Sequence, residues 1–186
     1  MDRDPVHPAN PVILEPTKLA GLLVVRPEKR SDERGFFARL WCADDFAAAG
    51  IAFRPHQIST SFNHTAGTLR GLHWQSAPHG ETKLVRATAG QVWDVAVDLR
   101  EGSATRFGWF GLLLDAAAHT ALLIPAGFAH GFITLSDDAE VLYAIDTPYI
   151  EQAARGARYD DPALAIDWPR APTVIAGRDL QFGPLA

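Results

Sequence analysis

Short segments in which apolar and polar residues alternate with a period of two constrain the fold of this chain more than any other feature. In the clearest segment, Trp93, Val95, Val97 and Leu99 share one face of an extended strand, because successive side chains point to opposite sides. Further strand candidates are residues 83–86, 121–124 and 140–145. Turn residues separate these segments, and the chain contains 15 glycines and 13 prolines. The pattern predicts an antiparallel β-sandwich or β-barrel.

Outside these strands the sequence predicts one short helix and two irregular ends. The helix covers residues 44–49, since acidic residues occupy its first turn and Gly50 follows it. Prolines in the first 20 residues predict an irregular N-terminal arm, and the proline-rich tail from about residue 162 is expected to wrap over the surface. A length of 186 residues corresponds to a single domain over 1–186.

The charge and cysteine content exclude several classes of function. A net charge of −5 provides no general field for nucleic acid or an anionic membrane, although a local pocket for one anionic small molecule stays open. The single Cys42 excludes an internal disulfide framework and a thiolate zinc site. With no signal-peptide pattern and no uninterrupted apolar span, we expect a cytoplasmic protein.

Polar groups interrupt three otherwise apolar segments. His73 and Gln75 are two residues apart, so they face the same side of a strand, and Lys83 opens the next apolar strand. His130 lies within a second apolar segment, and Tyr143 places a hydroxyl on an apolar strand face. A base, a cation and a phenol on short strands favour a ligand site at the mouth of a barrel.

Each of these residues also has a purely structural interpretation. A lone histidine such as His130 is more often a hydrogen-bonded core residue than a catalyst. A tyrosine in a strand, such as Tyr143, usually packs, with its hydroxyl finding any partner. Lys83 is also the kind of residue that discourages strand addition at a sheet edge.

A second interpretation of the histidines is a metal site. The PxGxxH pattern that ends at His130 is typical of metal cupins, which need several converging imidazoles. No second histidine follows His73 by two residues, and His79 and Glu81 fall in a predicted proline–glycine turn. The ligand set is incomplete, so we predict that no metal is bound.

Seven motifs together carry a resemblance to a known family. They are DERGFF at 32–37, LRGLHWQ at 69–75, KLVR at 83–86, DVAVDLR at 94–100, IPAGFAHGF at 124–132, DDP at 160–162 and IDWP at 166–169. In order and spacing, over about residues 20–180, the chain resembles the dTDP-4-dehydrorhamnose 3,5-epimerase family. The resemblance implies an all-β, cupin-type jelly roll (double-stranded β-helix) with a few short helices. It also implies a homodimer and no metal or organic cofactor.

The same resemblance assigns roles to individual residues. It implies that His73 is the catalytic base, that Asp179 orients this base, that Lys83 stabilises negative charge and that Tyr143 donates a proton. The substrate-binding residues that it implies are Arg34, Gln57, Ser59, Arg70, Lys83, His130, Tyr149 and Arg178. Arginine side chains supply the forked donors that phosphate oxygens prefer.

The reaction implied is epimerisation at C3, C5 or both in a nucleotide-linked 4-keto-6-deoxy sugar. The substrate expected first is dTDP-4-dehydro-6-deoxyglucose, which would give dTDP-4-dehydrorhamnose. Removing a proton next to the ketone leaves an enolate, a task for an imidazole that titrates near neutral pH. Inversion then requires a proton from the opposite face.

Three departures from the family pattern leave the substrate open. Arg39 stands where a glutamate is usual, Ala154 stands where an acid is frequent, and the segment 57–63 is one residue longer than its counterpart. A 3-only or 5-only epimerase acting on another nucleotide sugar is therefore an alternative. A cupin that binds a sugar without catalysis, or with a metal, is the alternative from a different class.

Overall fold

A computed structural model describes residues 11–185 of the chain, and the fold in this range is built from antiparallel strands. The strands are β1 (Val12–Pro16), β2 (Leu23–Pro27), β3 (Lys29–Asp32), β4 (Gly35–Ala38), β5 (Gln57–Asn63), β6 (Thr68–Gln75), β7 (Lys83–Ala89), β8 (Gln91–Asp98), β9 (Trp109–Asp115), β10 (Ala121–Ile124), β11 (Phe128–Thr134), β12 (Ala139–Ile145), β13 (Ala154–Gly156) and β14 (Val174–Ile175). The helices are α1 (Ala43–Ala48), a 3₁₀ turn (Glu151–Ala153) and α2 (Gly177–Leu180). Every predicted strand and the predicted helix are present.

Two sheets and one hairpin account for these strands. The first sheet has the order β1-β2-β10-β7-β12-β5, and the second has the order β13-β6-β11-β8-β9, with β14 added in parallel to β6. Strands β3 and β4 form a separate hairpin. Because neighbours in each sheet come from distant parts of the chain, residues far apart in sequence meet in the same sheet.

The core lies between the two sheets. Val85 and Val141 of the first sheet pack with Ala96 and Phe132 of the second, and all four are buried. Helix α1 covers the other side of the first sheet, where its Phe46 is fully buried. Each sheet therefore presents one face to the shared core, as the period-two pattern requires.

The outer face of the second sheet is covered by the C-terminal segment. Val95 and Val97, on the predicted apolar face of β8, pack with Leu164, and Trp168 lies against the same cluster. The segment that contains Leu164 and Trp168 therefore lies against the outer face of this sheet. The tail is not only a cover, however, because it also forms β14 and α2 beside β6.

The predicted irregular arm needs a correction within the described residues. Val12–Pro16 form strand β1, which pairs antiparallel with β2 at the edge of the first sheet. An edge strand tolerates a proline at its end because no further strand needs that donor. Residues 1–10 of the predicted arm lie outside the described residues. Among residues 11–185, no helix has the length and apolarity needed to cross a membrane.

Candidate active site

A cavity of about 620 Å³ opens between the two sheets and is lined by both of them and by the C-terminal segment. It brings together nearly all of the predicted site residues. Those that line it are Gln57, Ser59, Arg70, His73, Lys83, His130, Tyr143, Tyr149, Arg178 and Asp179. Arg34 is the exception: it lies on the β3–β4 hairpin, exposed and paired with Asp32, outside this chain's cavity.

Glycine allows the two strands that carry the site histidines to approach closely. His73 on β6 pairs in register with His130 on β11. At Gly71 the backbone has φ +125°, and a Cβ atom there would lie 2.6 Å from Cα of Gly131. A side chain at Gly71 would push β6 away from β11, which gives a physical reason for glycine in the RGLH motif.

The structure joins His73 to Asp179 across 106 positions of sequence. Nε2 of His73 lies 2.9 Å from Oδ1 of Asp179, and Oδ2 of the same carboxylate accepts a hydrogen bond from the Gly71 backbone N–H at 3.2 Å. Asp179 is 2% exposed. An ionised carboxylate only accepts, so Nε2 carries the proton and Nδ1 keeps the lone pair. The pair therefore fixes one tautomer of the histidine.

The environment of His73 favours its neutral form. Burial lowers the pKa of His73, and the charges of Arg178 and Lys83 lower it further, while the hydrogen bond and charge of Asp179 raise it. The net direction is downward. At neutral pH the ring is thus a neutral imidazole with one free lone pair, the form that a general base needs.

Lys83 faces the same cavity from the other sheet, and its ammonium is paired. Nζ of Lys83 lies 2.8 Å from Oε1 of Glu81, and both side chains are 10% exposed. Glu81 lines the cavity although the sequence analysis placed it only in a turn. Its position two residues before Lys83 was the available signal, because residues i and i+2 of an extended segment face the same way.

Tyr143 on β12 contributes a partly buried phenol to the cavity. Burial raises the pKa of Tyr143 well above its ordinary value, the charge of Asp94 adds to this, and that of Arg70 opposes it. The ring of Tyr143 packs edge-on against His130, with centroids 5.9 Å apart. The phenol therefore stays protonated and able to donate over the whole physiological range.

His130 is both a hydrogen-bonded core residue and part of the cavity wall. Its Nε2 lies 2.8 Å from Oδ1 of Asp94, and both side chains are buried, as expected of a core histidine. His130 nevertheless lines the cavity. The second carboxylate oxygen of Asp94 has no hydrogen-bond partner among the described residues. The strand pattern did not indicate Asp94 as a site partner, because a pattern in one strand does not show which strands become its neighbours.

The cavity wall also holds three arginines. Nε of Arg70 donates to Oδ1 of Asn63 at 2.7 Å, and Nε of Arg178 lies 3.4 Å from Asp179. Arg155, which the sequence analysis did not select, lines the same wall from β13. These guanidinium groups suit a ligand with several phosphate oxygens.

Phe182 is a further residue that the sequence analysis missed. It lines the cavity and packs edge-on against His73, with ring centroids 6.0 Å apart. A Cβ atom at Gly156 would lie only 2.1 Å from this ring, so glycine on β13 leaves the space that Phe182 occupies. The ring thus covers one side of the histidine.

Of the positions that depart from the family pattern, some line the cavity and one lies away from it. Ala154 lines the cavity, as do Gln57, Ser59 and Ser61, which alternate along β5. The buried hydroxyl of Ser61 has no hydrogen-bond partner among the described residues. Arg39 instead lies 3.8 Å from Asp45, next to α1. Nowhere in residues 11–185 do three His, Cys, Asp or Glu side chains converge in a way suited to a metal ion.

Two facing antiparallel sheets with a histidine–carboxylate pair in the cavity between them define a cupin-type fold equipped for proton transfer. Comparison with known proteins narrows this class. The sequence profile of the dTDP-4-dehydrorhamnose 3,5-epimerase family matches residues 16–186. The chain belongs to this family.

Individual relatives support the same assignment. The chain is 39% identical over 161 residues to the dTDP-4-dehydrorhamnose 3,5-epimerase of Sinorhizobium fredii, which covers 84% of this chain and 80% of the relative. It is 37% identical over 167 residues to the dTDP-4-dehydrorhamnose 3-epimerase of Streptomyces niveus, with 89% and 80% covered. A solved structure of the Legionella pneumophila dTDP-6-deoxy-D-glucose 3,5-epimerase, in complex with dTDP-4-keto-L-rhamnose, superposes with a TM-score of 0.85 at 37% identity, covering 91% of this chain and 90% of that one. The predicted family, cupin-type fold and epimerase class are confirmed.

Proposed function

We propose that this chain inverts C3 and C5 of dTDP-4-dehydro-6-deoxyglucose, giving dTDP-4-dehydrorhamnose, with His73 as base and Tyr143 as acid. One observation carries the proposal. His73 lies on β6 of the second sheet, whereas Tyr143 and Lys83 lie on β12 and β7 of the first sheet, and all three line one cavity. A sugar held between the sheets meets a base on one face and a proton donor on the other.

The first step is removal of a proton from a carbon next to the C4 ketone. The lone pair on Nδ1 of His73 takes the proton, and the C–H electrons pass into the enolate. Asp179 holds the ring in this tautomer and stabilises the imidazolium that forms, as the carboxylate of a Ser-His-Asp triad does. The lowered pKa of His73 keeps the ring neutral, with the lone pair on Nδ1 free, before the step.

The second step is stabilisation of the enolate. Negative charge develops on the former ketone oxygen, and an ammonium group aimed at that oxygen lowers the barrier. Lys83 is the cation that the first sheet supplies to the cavity wall near the base, close enough to lower the pKa of His73. The low exposure of Lys83 strengthens its effect, because water screens it little.

The third step is delivery of a proton to the opposite face of the same carbon. Tyr143 donates it, and its O–H electrons remain on the phenolate until solvent or His73 returns a proton. The raised pKa of Tyr143 makes the phenol a weak acid in water but a suitable donor to a strongly basic enolate carbon. Repeating the three steps at the other carbon gives the doubly inverted product.

Substrate binding is assigned to the cavity wall. Arg70 and Arg178, with the additional Arg155, suit the diphosphate, while Gln57, Ser59, His130 and Tyr149 suit the sugar and the base. Two of the arginines are tied to acceptors of the protein, Arg70 to Asn63 and Arg178 to Asp179, so their forks are partly oriented before substrate arrives.

A homodimer would give Arg34 its predicted role in binding. This residue lies on an exposed hairpin whose Phe36 and Phe37 are 45% and 67% exposed, features that favour burial against another surface. We propose that the hairpin of one copy reaches the cavity of its partner. Sedimentation at micromolar concentration is expected to give a dimer, and a stable monomer would contradict the proposal.

A cytoplasmic location and the absence of a cofactor stay predictions from the sequence.

Deuterium incorporation from D₂O into nucleotide-linked 4-keto sugars tests the function directly. With the dTDP-linked 6-deoxy sugar we expect exchange at both C3 and C5, together with net formation of the epimer. Exchange at C3 alone would assign a 3-only epimerase, the activity named for the Streptomyces niveus relative. Exchange only with another nucleobase would change the substrate. No exchange with any member of the panel, or exchange only with protein that contains a metal by elemental analysis, would favour a binding protein or a metal cupin.

A further inference from the structure

We propose that Glu81 is a positioning residue that holds the Lys83 ammonium at the cavity wall, and that Gln75 in turn holds Glu81. The inference rests on the proposed function, since it assigns Glu81 a role in placing the group that stabilises the enolate. The resemblance to the family assigns a role to neither residue.

The contact between the two charged groups is short and shielded. Oε1 of Glu81 lies 2.8 Å from Nζ of Lys83, and each side chain is 10% exposed. A lysine side chain has four rotatable bonds and loses rotamer freedom when its end is fixed. A buried carboxylate at hydrogen-bond distance provides that fixing. It takes one N–H of the ammonium and leaves two for a substrate oxygen.

The carboxylate is itself held on its other oxygen. The side-chain amide of Gln75 donates to Oε2 of Glu81 at 3.2 Å, and its Oε1 accepts the backbone N–H of Ile150 at 2.6 Å. The same amide nitrogen lies 3.2 Å from the carbonyl oxygens of His79 and Pro148. Gln75 is 3% exposed, so this amide is locked by its surroundings. The main chain therefore holds Gln75, Gln75 holds Glu81, and Glu81 holds Lys83.

This chain of contacts links two parts of the cavity. Gln75 lies two residues after His73 on β6, and the segment that it holds at 148–150 contains Tyr149. Lys83 begins β7 in the opposite sheet. Glu81 thus sits where the strand of the base, the strand of the ammonium and the segment of Tyr149 converge. A carboxylate here fixes the position of Lys83 relative to His73.

A double-mutant cycle separates positioning from a general effect on the fold. The variants are Glu81→Ala, Glu81→Gln, Lys83→Met and the double variant Glu81→Ala with Lys83→Met. A charge-matched control is Asp146→Asn, since Asp146 accepts the Thr82 backbone N–H at 2.8 Å in the same segment, whereas the described ion pair of Lys83 is with Glu81. Deuterium exchange from D₂O measures kcat and KM, and calorimetry with TDP measures nucleotide affinity.

If Glu81 acts through Lys83, Glu81→Ala lowers kcat by about 10- to 100-fold, the cost expected when a reacting group is displaced by about 1 Å. KM and the affinity for TDP change by less than about threefold. Glu81→Gln, which keeps an acceptor for Nζ, is expected to retain more activity than Glu81→Ala. Asp146→Asn is expected to stay within about twofold of the unmodified enzyme. In the Lys83→Met background, adding Glu81→Ala causes no further loss.

The inference would be overturned by exchange in Glu81→Ala at the unmodified rate, or by the same fold loss from Glu81→Ala with and without Lys83. An equal loss in Asp146→Asn would also overturn it, by assigning the effect to the segment and not to the carboxylate. Failure of the proposed function is distinguishable, because the unmodified enzyme would then show no exchange at all. Exchange in Lys83→Met is slow, so it is followed over hours at high enzyme concentration by mass spectrometry.

Discussion

Replacing Asp179 tests whether the carboxylate acts by fixing the tautomer of His73 or only by adding charge. The contact with Nε2 of His73 is 2.9 Å, and the carboxylate is buried. A hydrogen bond to a charged group contributes about 1.5–3 kcal/mol. We therefore expect Asp179→Ala to lower the rate of proton removal by about 10- to 150-fold.

Asparagine at the same position is predicted to be worse than alanine. The Gly71 backbone N–H points at Oδ2 and needs an acceptor, so the amide oxygen of the asparagine takes that place. Its NH₂ group then faces Nε2 of His73, and an amide nitrogen only donates. The proton of the ring moves to Nδ1, and the base has no lone pair for the substrate. The expected loss is about 10⁴-fold, the size known for the same change in a Ser-His-Asp triad.

The assay is deuterium incorporation at C3 and C5 across a range of pH. In Asp179→Ala the acid limb of the rate profile is expected to move to lower pH. Asp179 raises the pKa of His73, whereas burial, Arg178 and Lys83 lower it and remain in the variant. Circular dichroism and the midpoint of thermal unfolding serve as the controls for folding, because Asp179 also contacts Arg178, which is assigned to the diphosphate. An asparagine variant as active as the alanine variant would refute the tautomer argument.

Further predictions concern the acid, the hairpin and the stability of the fold. Tyr143→Phe is expected to exchange deuterium through His73 without net epimer formation, because the ring still packs but the second face has no donor; unmodified rates of epimer formation would assign the acid elsewhere. Arg34→Ala is expected to raise KM more than it lowers kcat, measured with the same substrate, and an unchanged KM would remove the residue from binding. Asp98→Asn is expected to lower the free energy of unfolding by about 3 kcal/mol in urea at pH 7, because the buried carboxylate loses its ion pair with Arg100. Burial raises the pKa of Asp98, but hydrogen bonds from Arg100, Ser103 and Thr105 together outweigh it and hold the pKa far below its ordinary value. The difference between the two proteins should therefore be constant above about pH 5 and shrink as the pH falls below about 4; a difference that grows in acid would contradict the assignment.

The local pattern was sufficient to predict strands such as β7, β8, β10 and β12, but not their partners. The alternation in β8 gave its two faces correctly, yet both faces are buried, one by the other sheet and one by the C-terminal segment. Asp94 therefore lies inside the protein beside His130, where the pattern alone suggested only a polar face. Strand pairing over long sequence distances decides such contacts, and a period of two carries no information about it.

Site residues differ in how far the sequence reveals them. The resemblance to the family located Asp179, which no spacing argument connects to His73. It did not locate Glu81, which pattern reasoning left in a turn although it lies beside Lys83. It placed Arg34 in the binding site, and within one chain the structure does not. A motif identifies residues that a family uses, but it does not show where the fold of one chain places each of them.

The distance between the proposed base, His73, and the proposed acid, Tyr143, is a property of the core and not of either residue. His73 and Tyr143 belong to different sheets, and the spacing of those sheets is set by buried residues such as Phe132 and Val141. Interiors are densely packed, so a change of one or two methyl groups there shifts the sheets or leaves a cavity. The position of a sugar carbon between the two groups therefore depends on residues that touch neither group. It follows that two proteins can share the same base and acid and still differ in how many carbons they invert.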